Sequence, residues 1–388
     1  MKTQSDTTHR TKLLLMYFCG LTAVLAPAFA QTWTKTSAPT NNWSSVALSA
    51  DGKKVVAVIS GSGIYTSTNS GVDWVSNNAP VANWSSVASS ADGSKLAALV
   101  SGGGIYISTN FGGTWTLGSV VAGGTSIASS ADGRTLLVAL NNVGVYVSTN
   151  SGGTFSKKTV SNSITEGVAC SSADGTILMT AAPFGVDIST NAGTTWTSEA
   201  GGNYMGETRG AGISAQGNMI FAKADNGIFM STNYGTVFSK CFNGVPLAQN
   251  PSLAISAEGK KVFIVTGTNN IYSSADFGAA WVTNNTPSAF KFIACSADGN
   301  TLVAIGNSNI YTSFSAPIPT LNCAALTSNL IFSWLIPSTN LVLQQNLDLT
   351  TANWVTLTNR PTLNLTNLHN ELIVTPTNDS GFYRLAAP

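Results

Sequence analysis

Short runs of small and apolar residues alternate with polar turns along most of this chain. In the clearest early example, Ser45–Ser49 and Lys54–Ile59 flank an Asp-Gly pair, and a third run begins at Ile64. An Asp-Gly pair between two such runs is a strong signal for a β-hairpin. The abundance of glycine, with 37 residues, also suits many short strands joined by tight turns. The pattern therefore predicts antiparallel strands rather than helices.

The Asp-Gly turn is one copy of a marker that recurs at intervals of 40 to 42 residues. The marker reads Ser-Ala-Asp-Gly or a close variant, and its third position is occupied by Asp51, Asp92, Asp132, Asp174, Gln216, Glu258 and Asp298. A further apolar run follows each copy, as Ile64-Tyr65 follows the first. A fixed period of this length is typical of repeat architectures. The chain is therefore predicted to contain seven repeats.

A second recurring element is an eight-residue turn of the pattern Ser-x-Asn-x-Gly-x-x-Trp, called the octet turn below. Its copies are Ser67–Trp74, Ser108–Trp115, Ser148–Phe155, Ser189–Trp196, Ser231–Phe238 and Ser274–Trp281. We expect its Ser and Asn side chains to bond turn amides, its Gly to adopt a positive φ, and its aromatic residue to pack between sheets.

These octets resemble the Asp-box of the BNR (bacterial neuraminidase) repeat family, with Asn replacing the usual Asp in five of six copies. The resemblance implies a sialidase-like, WD40/YVTN/BNR-like β-propeller in which the box is a structural element. With the strand after each octet turn, every repeat supplies four antiparallel strands. Seven such repeats predict an all-β fold, a seven-bladed β-propeller.

The two ends of the repeat array are complementary. The last repeat stops at Phe314 before any Gly-x-x-Trp, whereas Gln31-Thr32-Trp33-Thr34 reads as a fourth strand with no repeat before it. We expect this N-terminal strand to close the last blade and to remove the exposed edge of an open array. Trp33 should then pack there as Trp74 packs in the first blade.

One position in the first strand of every repeat is small. This position, called the small column below, is assigned to Ala47, Ala88, Ala128, Ala169, Gly212, Ala254 and Ala294. Seven inner strands that converge on one axis leave no room for a large side chain at this position. Ala169 reaches the column only if one extra residue is accommodated near Ser171-Ser172, so we expect a β-bulge there.

The pattern changes after residue 315. Ala316–Pro319 reads as a stiff linker, and strand-like runs follow at Leu330–Ile336, Leu341–Gln345, Trp354–Leu357, Leu372–Thr375 and Phe382–Leu385. They predict a small β-sandwich. The region resembles short C-terminal modules of unrelated secreted bacterial proteins that end in a Phe-Tyr-Arg-Leu type strand, which implies sorting, surface attachment or stabilisation. The predicted domains are a propeller over 31–315 and a sandwich over 316–388.

Residues 1–30 are typical of a secretory signal peptide. Lys2, Arg10 and Lys12 form the positive region, Leu13–Leu25 the apolar core, and Ala28-Phe29-Ala30 a small-x-small cleavage site. The core is short for a membrane span, and no later run reaches about 18 apolar residues. We expect cleavage after Ala30 and a secreted, periplasmic or cell-surface protein with no membrane span.

Charged residues make up only 9% of the chain, against about 25% in typical soluble proteins. Lys plus Arg number 18 and Asp plus Glu number 17, so the strongly basic face that DNA or RNA requires is not available. Nucleic acid is therefore excluded as a partner class.

Metal ligands are scarce as well. No Cys-x-x-Cys occurs, and His369 is the one histidine after the signal segment, which argues against a Cys/His zinc site. Turn capping explains the octet asparagines, so we expect no stoichiometric calcium. Cys170 and Cys295 are interpreted as small buried apolar residues. Cys241 and Cys323 could pair only if the C-terminal domain folds back. No metal site and no cofactor are predicted.

Charged residues outside the turns concentrate in the fourth and fifth repeats. The candidate ligand-binding residues are Tyr204, Glu207, Arg209, Glu166 and Asp225. They are expected on the face opposite the octet turns, where propellers usually bind. Glu207 with Glu166 or Asp225 is conceivable as a glycosidase pair, and a surface Glu-Arg pair with solvated loop charges is the alternative. Trp43 and Trp84 are open to two interpretations, stacking on sugars or packing between strands.

Enzymes with the same box define the functional alternatives. The sialidases that the octets resemble use an arginine triad and six blades, whereas this propeller contains only Arg134 and Arg209. Xyloglucan hydrolases of this kind work between two propellers, and the photosystem II assembly factors have an arginine-rich patch that is missing here. The prediction is a non-enzymatic binding or scaffold module for an extracellular glycan or protein. The alternatives are a polysaccharide-active glycoside hydrolase and an assembly factor for an exported complex.

Overall fold

The structure is a computed structural model that describes residues 31–120, 124–140, 144–160, 167–182, 185–199, 205–245, 251–315, 319–336, 341–376 and 381–387. Its regular elements within these ranges are all β-strands, so the all-β prediction is confirmed. The expected signal peptide lies outside the described residues. None of the described segments is a helix long and apolar enough to cross a membrane.

Each repeat contributes four strands in chain order. The first strands are β2 (Trp43–Leu48), β6 (Ala82–Ser89), β10 (Gly124–Ser129), β14 (Ala169–Ser171), β18 (Thr208–Ile213), β22 (Ser252–Ile255) and β26 (Phe290–Cys295). The second strands are β3 (Val55–Ser62), β7 (Leu96–Val100), β11 (Leu136–Leu140), β15 (Leu178–Ala182), β19 (Ile220–Ala224), β23 (Val262–Val265) and β27 (Thr301–Gly306).

The outer half of each repeat consists of the third and fourth strands. The third strands are β4 (Ile64–Ser67), β8 (Gly104–Ser108), β12 (Gly144–Ser148), β16 (Gly185–Ser189), β20 (Gly227–Ser231), β24 (Asn270–Ser274) and β28 (Asn309–Phe314). The fourth strands are β5 (Val75–Ser76), β9 (Thr116–Val120), β13 (Ser156–Lys158), β17 (Thr197–Glu199), β21 (Ser239–Phe242), β25 (Val282–Asn285) and, at the start of the chain, β1 (Trp33–Lys35).

Within each repeat the four strands pair antiparallel in sequence order. Five of the groups are separate four-stranded sheets, and β2 to β9 belong to one eight-stranded sheet because β3 extends far enough to pair with β6. The second strands are the most buried, and clusters of their apolar side chains fill the space between neighbouring repeats. The core is therefore divided among the interfaces between successive sheets.

A circuit of seven backbone hydrogen bonds links the marker turns. The second residue of each marker donates its N–H to the carbonyl of the same residue in the next repeat at 2.7–2.8 Å, through Ala50, Ala91, Ala131, Ala173, Ala215, Ala257 and Ala297. The last bond runs from Ala297 back to Ala50 at 2.8 Å. The repeats therefore form a closed ring with the first strands innermost.

The N-terminal strand closes this ring as predicted. Strand β1 pairs with β28, with Trp33 opposite Ser313, and completes a sheet of four strands. The Trp33 ring lies edge-on to Phe290 with centroids 4.7 Å apart. The first and last parts of the repeat region thus share one sheet and one apolar cluster.

The octet turns have the predicted hydrogen bonds. In the first copy, Ser67 Oγ accepts the N–H of Gly71 at 3.0 Å and donates to Asn69 Oδ1 at 2.9 Å. Asn69 Oδ1 in turn accepts the N–H of Asp73 at 2.9 Å. The same set recurs in the other five copies. Each octet glycine has a positive φ, which explains why glycine is needed at that position.

The prediction of a bulge near Ser171-Ser172 is wrong. Strand β14 pairs with β15 in continuous register, with Cys170 opposite Met179, and the same nine-residue offset joins Ala47 to Val56 in the first repeat. Cys170, rather than Ala169, therefore occupies the small column of the fourth repeat. A thiol is small enough to fit there, and burial raises the pKa of Cys170 to about 12. This thiol is consequently unreactive at neutral pH.

The chain divides into two compact units, one of which contains β1 to β28 and the other most of the residues that follow. The second unit contains β29 (Asn322–Leu326), β30 (Asn329–Leu335), β31 (Val342–Asn346), β32 (Val355–Thr356), β33 (Thr362–Asn364), β34 (His369–Val374) and β35 (Phe382–Ala386). They form a four-stranded sheet, β29-β30-β34-β33, and a three-stranded sheet, β32-β31-β35. Both sheets contribute to one core around Phe332 and Trp334. The five predicted strands are present, and β29 and β33 were missed.

Candidate functional site

A cavity of about 640 Å³ lies where the first strands of all seven repeats begin, and it is called the channel cavity below. Its wall consists of Ser45, Val46, Ser85–Val87, Thr125–Ile127, Gly167–Ala169, Arg209–Ala211, Pro251–Leu253, Phe292 and Ile293. Because each of the seven first strands contributes residues, the cavity lies on the axis of the ring. Its volume is within the range of about 300–1,000 Å³ that is typical of small-molecule sites.

β-Bulges shape the wall of the channel cavity. The pairing of first with second strands skips one residue in five repeats, at Ser44, Ser85, Thr125, Arg209 and Lys291. A bulged residue is not paired in the ladder, so its side chain is turned away from the regular alternation. Three of these five bulged residues, Ser85, Thr125 and Arg209, line the cavity. The sequence predicted a bulge in the repeat region but not at these positions.

Arg209 is the one charged residue on the described wall of the cavity, and it is held by two carboxylates. Its Nη2 lies 2.6 Å from Glu207 Oε2, and its Nε lies 3.0 Å from Asp225 Oδ1. The Arg209 side chain is 18% exposed. Charge-assisted hydrogen bonds of this kind are strong and directional. They fix the plane of the guanidinium at the cavity wall.

The backbone keeps the two carboxylates in place. The N–H of Asp225 donates to the carbonyl of Glu207 at 3.1 Å, and the N–H of Asn226 donates to the carbonyl of Met205 at 3.2 Å. Between them, Gly206 has a φ of 79° and a Cβ there would lie 3.1 Å from Asp225 Cβ. A glycine is therefore required for the segment 205–209 to lie against the turn that carries Asp225.

A second cation is buried close to this cluster. Lys223 in β19 is 2% exposed, and its Nζ donates to the carbonyl of Ala224. Burial lowers the pKa of Lys223, Asp225 opposes the shift, and Arg209 adds to it. Lys223 does not line the channel cavity. Its charge interacts with those of Asp225 and Arg209.

The structure brings together three of the five predicted site residues, Glu207, Arg209 and Asp225. Tyr204 and Glu166 lie outside the described residues. Neither Glu207 nor Asp225 lines the cavity, because both carboxylates turn to the same guanidinium. A glycosidase instead needs two carboxyl groups that flank the scissile bond. Within the described part of the chain, both carboxylates instead contact one guanidinium.

Trp43 and Trp84 belong to the packing between strands. Trp43 is 4% exposed and Trp84 is fully buried. The indole N–H of Trp43 donates to Pro39 O, and that of Trp84 donates to Ser62 O, both at 3.1 Å. Their rings pack edge-on against Tyr65 and Tyr106. These contacts leave no face for stacking on a sugar, so the packing interpretation is the correct one.

The hydroxyl groups of the cavity wall were missed by the sequence analysis. Ser85, Ser86, Thr125 and Ser126 all line the cavity, although consecutive residues of a regular strand point to opposite faces. The doublets Ser85-Ser86 and Thr125-Ser126, each separated from the small column by one residue, were the available signal. Among the described residues, no cluster of His, Cys, Asp and Glu has the composition of a metal site.

No protein-family model and no curated protein matches the sequence. Solved structures do match the fold. YCF48 bound to a D1 peptide gives a TM-score of 0.57 at 15% identity, over 74% of this chain and 97% of that one. YCF48 from Cyanidioschyzon merolae gives 0.54 at 14% identity, over 73% and 98%. The Niastella koreensis GH74 enzyme gives 0.53 at 20% identity, over 71% of this chain but only 43% of that one. These similarities establish a β-propeller-like fold.

Proposed function

We propose that this chain is a secreted, seven-bladed Asp-box β-propeller that binds an extracellular glycan or protein in the channel cavity and catalyses no reaction. The closed circuit of seven hydrogen bonds supports the blade count. The octet turns, with their recurring hydrogen bonds, support the relationship to the BNR repeat. Secretion is proposed from the signal-like segment 1–30.

One observation favours binding over catalysis more than any other. Arg209 lines a cavity of ligand size, while the two carboxylates that a hydrolase would use are both bonded to its guanidinium. Both carboxylates contact the guanidinium of Arg209, and neither lines the cavity. The site therefore presents a fixed donor and shape, which suffice for recognition.

The two types of structural neighbour correspond to the two alternatives. One YCF48 structure contains a bound peptide, which is consistent with a protein partner and with a role in assembly of an exported complex. The GH74 enzyme is more than twice as long as the part that matches. The match thus concerns less than half of that enzyme, so it gives hydrolysis of polysaccharide less support as the alternative.

Replacement of Arg209 tests the proposed site. We expect Arg209→Met to weaken binding of an oligosaccharide or peptide probe at least tenfold, because a hydrogen bond from a charged group contributes about 1.5–3 kcal/mol. Binding is measured by titration calorimetry with residues 31–388 and a panel of both probe types. The matched control is Arg134→Met, since Arg134 is exposed on a marker turn. Equal affinity of Arg209→Met and the wild type for every bound probe contradicts the assignment.

A further inference from the structure

Hydroxyl groups are concentrated on one part of the wall of the channel cavity. Three neighbouring repeats, the first to the third, contribute Ser45, Ser85, Ser86, Thr125 and Ser126. No acidic side chain lines the cavity within the described ranges. The part of the wall formed by these three repeats is therefore polar but uncharged, which is unusual for a site that relies on electrostatic attraction.

The hydroxyl groups fall into two classes by the hydrogen bonds they already make. Ser45, Ser86 and Ser126 each accept a backbone N–H from the next repeat, at 3.3, 3.2 and 3.2 Å. Ser85 and Thr125 each donate to a carbonyl of their own repeat at 3.2 Å. A hydroxyl has one hydrogen and two lone pairs. The first class can still donate to a ligand, and the second class can still accept.

The bulges place one group of each class side by side. Register shifts at Ser85 and Thr125 allow Ser85-Ser86 and Thr125-Ser126 to line the same cavity. Gly167 keeps this wall open, because a Cβ at that position would coincide with the Thr125 hydroxyl. Each pair thus offers one acceptor next to one donor.

The rest of the cavity wall is mainly apolar, apart from Arg209 and Ser252, whose hydroxyl donates to the carbonyl of Ile293 and accepts its N–H. Phe292 and Leu253 from the last two repeats are partly buried and line it. Arg209 adds a fixed planar donor from the fifth repeat. A ligand that fits this cavity has hydroxyl groups on one side, which both donate and accept, and carbon-bound hydrogens on the other. Neutral sugar rings have this distribution of polar and apolar faces.

We propose, on the basis of the binding function proposed above, that the channel cavity binds a neutral oligosaccharide, with the donor and acceptor pairs Ser85-Ser86 and Thr125-Ser126 bonding its hydroxyl groups. A carboxylate only accepts hydrogen bonds, so it would leave the acceptor groups Ser85 and Thr125 without a donor. The charge of Arg209 is already balanced by Glu207 and Asp225. The carboxylate of an acidic sugar or peptide therefore gains little from this site.

Titration calorimetry of residues 31–388 tests the inference. The neutral probes are tetrasaccharides of β-glucan, α-glucan, xylan, mannan and chitin. The comparison probes are a tetragalacturonate and a mixed-sequence hexapeptide library. We expect at least one neutral tetrasaccharide to bind and the tetragalacturonate to bind more weakly or not at all. Thr125→Val and Ser86→Ala should each weaken the neutral probe about two- to tenfold, since each removes one hydrogen bond.

Thr125→Val preserves side-chain shape, so it separates a lost contact from a folding defect, and thermal melts of both variants check that the fold is retained. The control Ser76→Ala removes a hydroxyl from the exposed outer strand β5 and should leave binding unchanged. If a neutral tetrasaccharide binds and neither Thr125→Val nor Ser86→Ala weakens its binding, the inference is overturned. Binding of peptides alone overturns it as well, but leaves the proposed binding function intact. If none of the probes binds, both the inference and the proposed binding function are overturned.

Discussion

Deletion of residues 31–38 is expected to lower the melting temperature of the protein by roughly 10 °C or more. The deletion removes strand β1, its pairing with β28 and the contact of Trp33 with Phe290. It also removes Ala38, which is buried in the cluster between the first and last repeats. Loss of a large packed aromatic side chain alone costs about 3–5 kcal/mol, and each kcal/mol lowers the melting temperature of a domain of this size by about 2–4 °C.

Two point variants identify the cause of that loss. Trp33→Ala should reproduce a large part of the effect, whereas Lys35→Ala should not, because Lys35 is exposed on the same strand. Thermal unfolding followed by circular dichroism measures all three. If the deletion variant melts at the wild-type temperature, the N-terminal strand does not hold the ring closed.

Gly235→Val should destabilise the protein by about 2–6 kcal/mol. Gly235 is the glycine of the fifth octet turn and has a φ of 84°. A Cβ at this position would lie 2.0 Å from Cδ1 of Ile188, which belongs to the neighbouring repeat. Backbone strain contributes about 1–3 kcal/mol, and overpacking contributes a similar amount. The β-branched side chain therefore conflicts with the turn and with its neighbour at once.

Denaturant unfolding gives the free energy directly. Thr232→Val is the matched control, since Thr232 is exposed in the same octet turn. A change within about 0.5 kcal/mol for Gly235→Val, comparable to an ordinary surface substitution, would mean that the octet turn tolerates a side chain there and that its glycine does not determine the contact between repeats.

The repeat architecture could be predicted from the sequence because its turns depend on specific residue types. Ser67, Asn69 and Gly71 each have a separate task in the octet turn, so the pattern persists from copy to copy. Ring closure was predictable for a related reason, since Trp33 supplied an element that the last repeat lacked. The prediction of which residues occupy the small column was less reliable. It was assigned through alanines, although Cys170 meets the same steric limit.

The candidate site was only partly predictable. Glu207, Arg209 and Asp225 stood out because charges are rare in this chain, but nothing in their spacing showed that both carboxylates bond the same guanidinium. The hydroxyl wall depends on register shifts at Ser85 and Thr125. A bulge reverses the direction of a side chain, and the strand pattern alone does not reveal where one occurs.

The central claim, that the channel cavity binds and does not catalyse, is tested most directly by following two quantities in the same samples. Residues 31–388 are incubated with oligosaccharides and polysaccharides, and bound ligand and newly released reducing ends are both measured, with Glu207→Ala alongside the wild type. We predict binding without any release of reducing ends, and the same absence of release for Glu207→Ala. Release by the wild type that disappears in Glu207→Ala would contradict the claim and make Glu207 a catalytic residue.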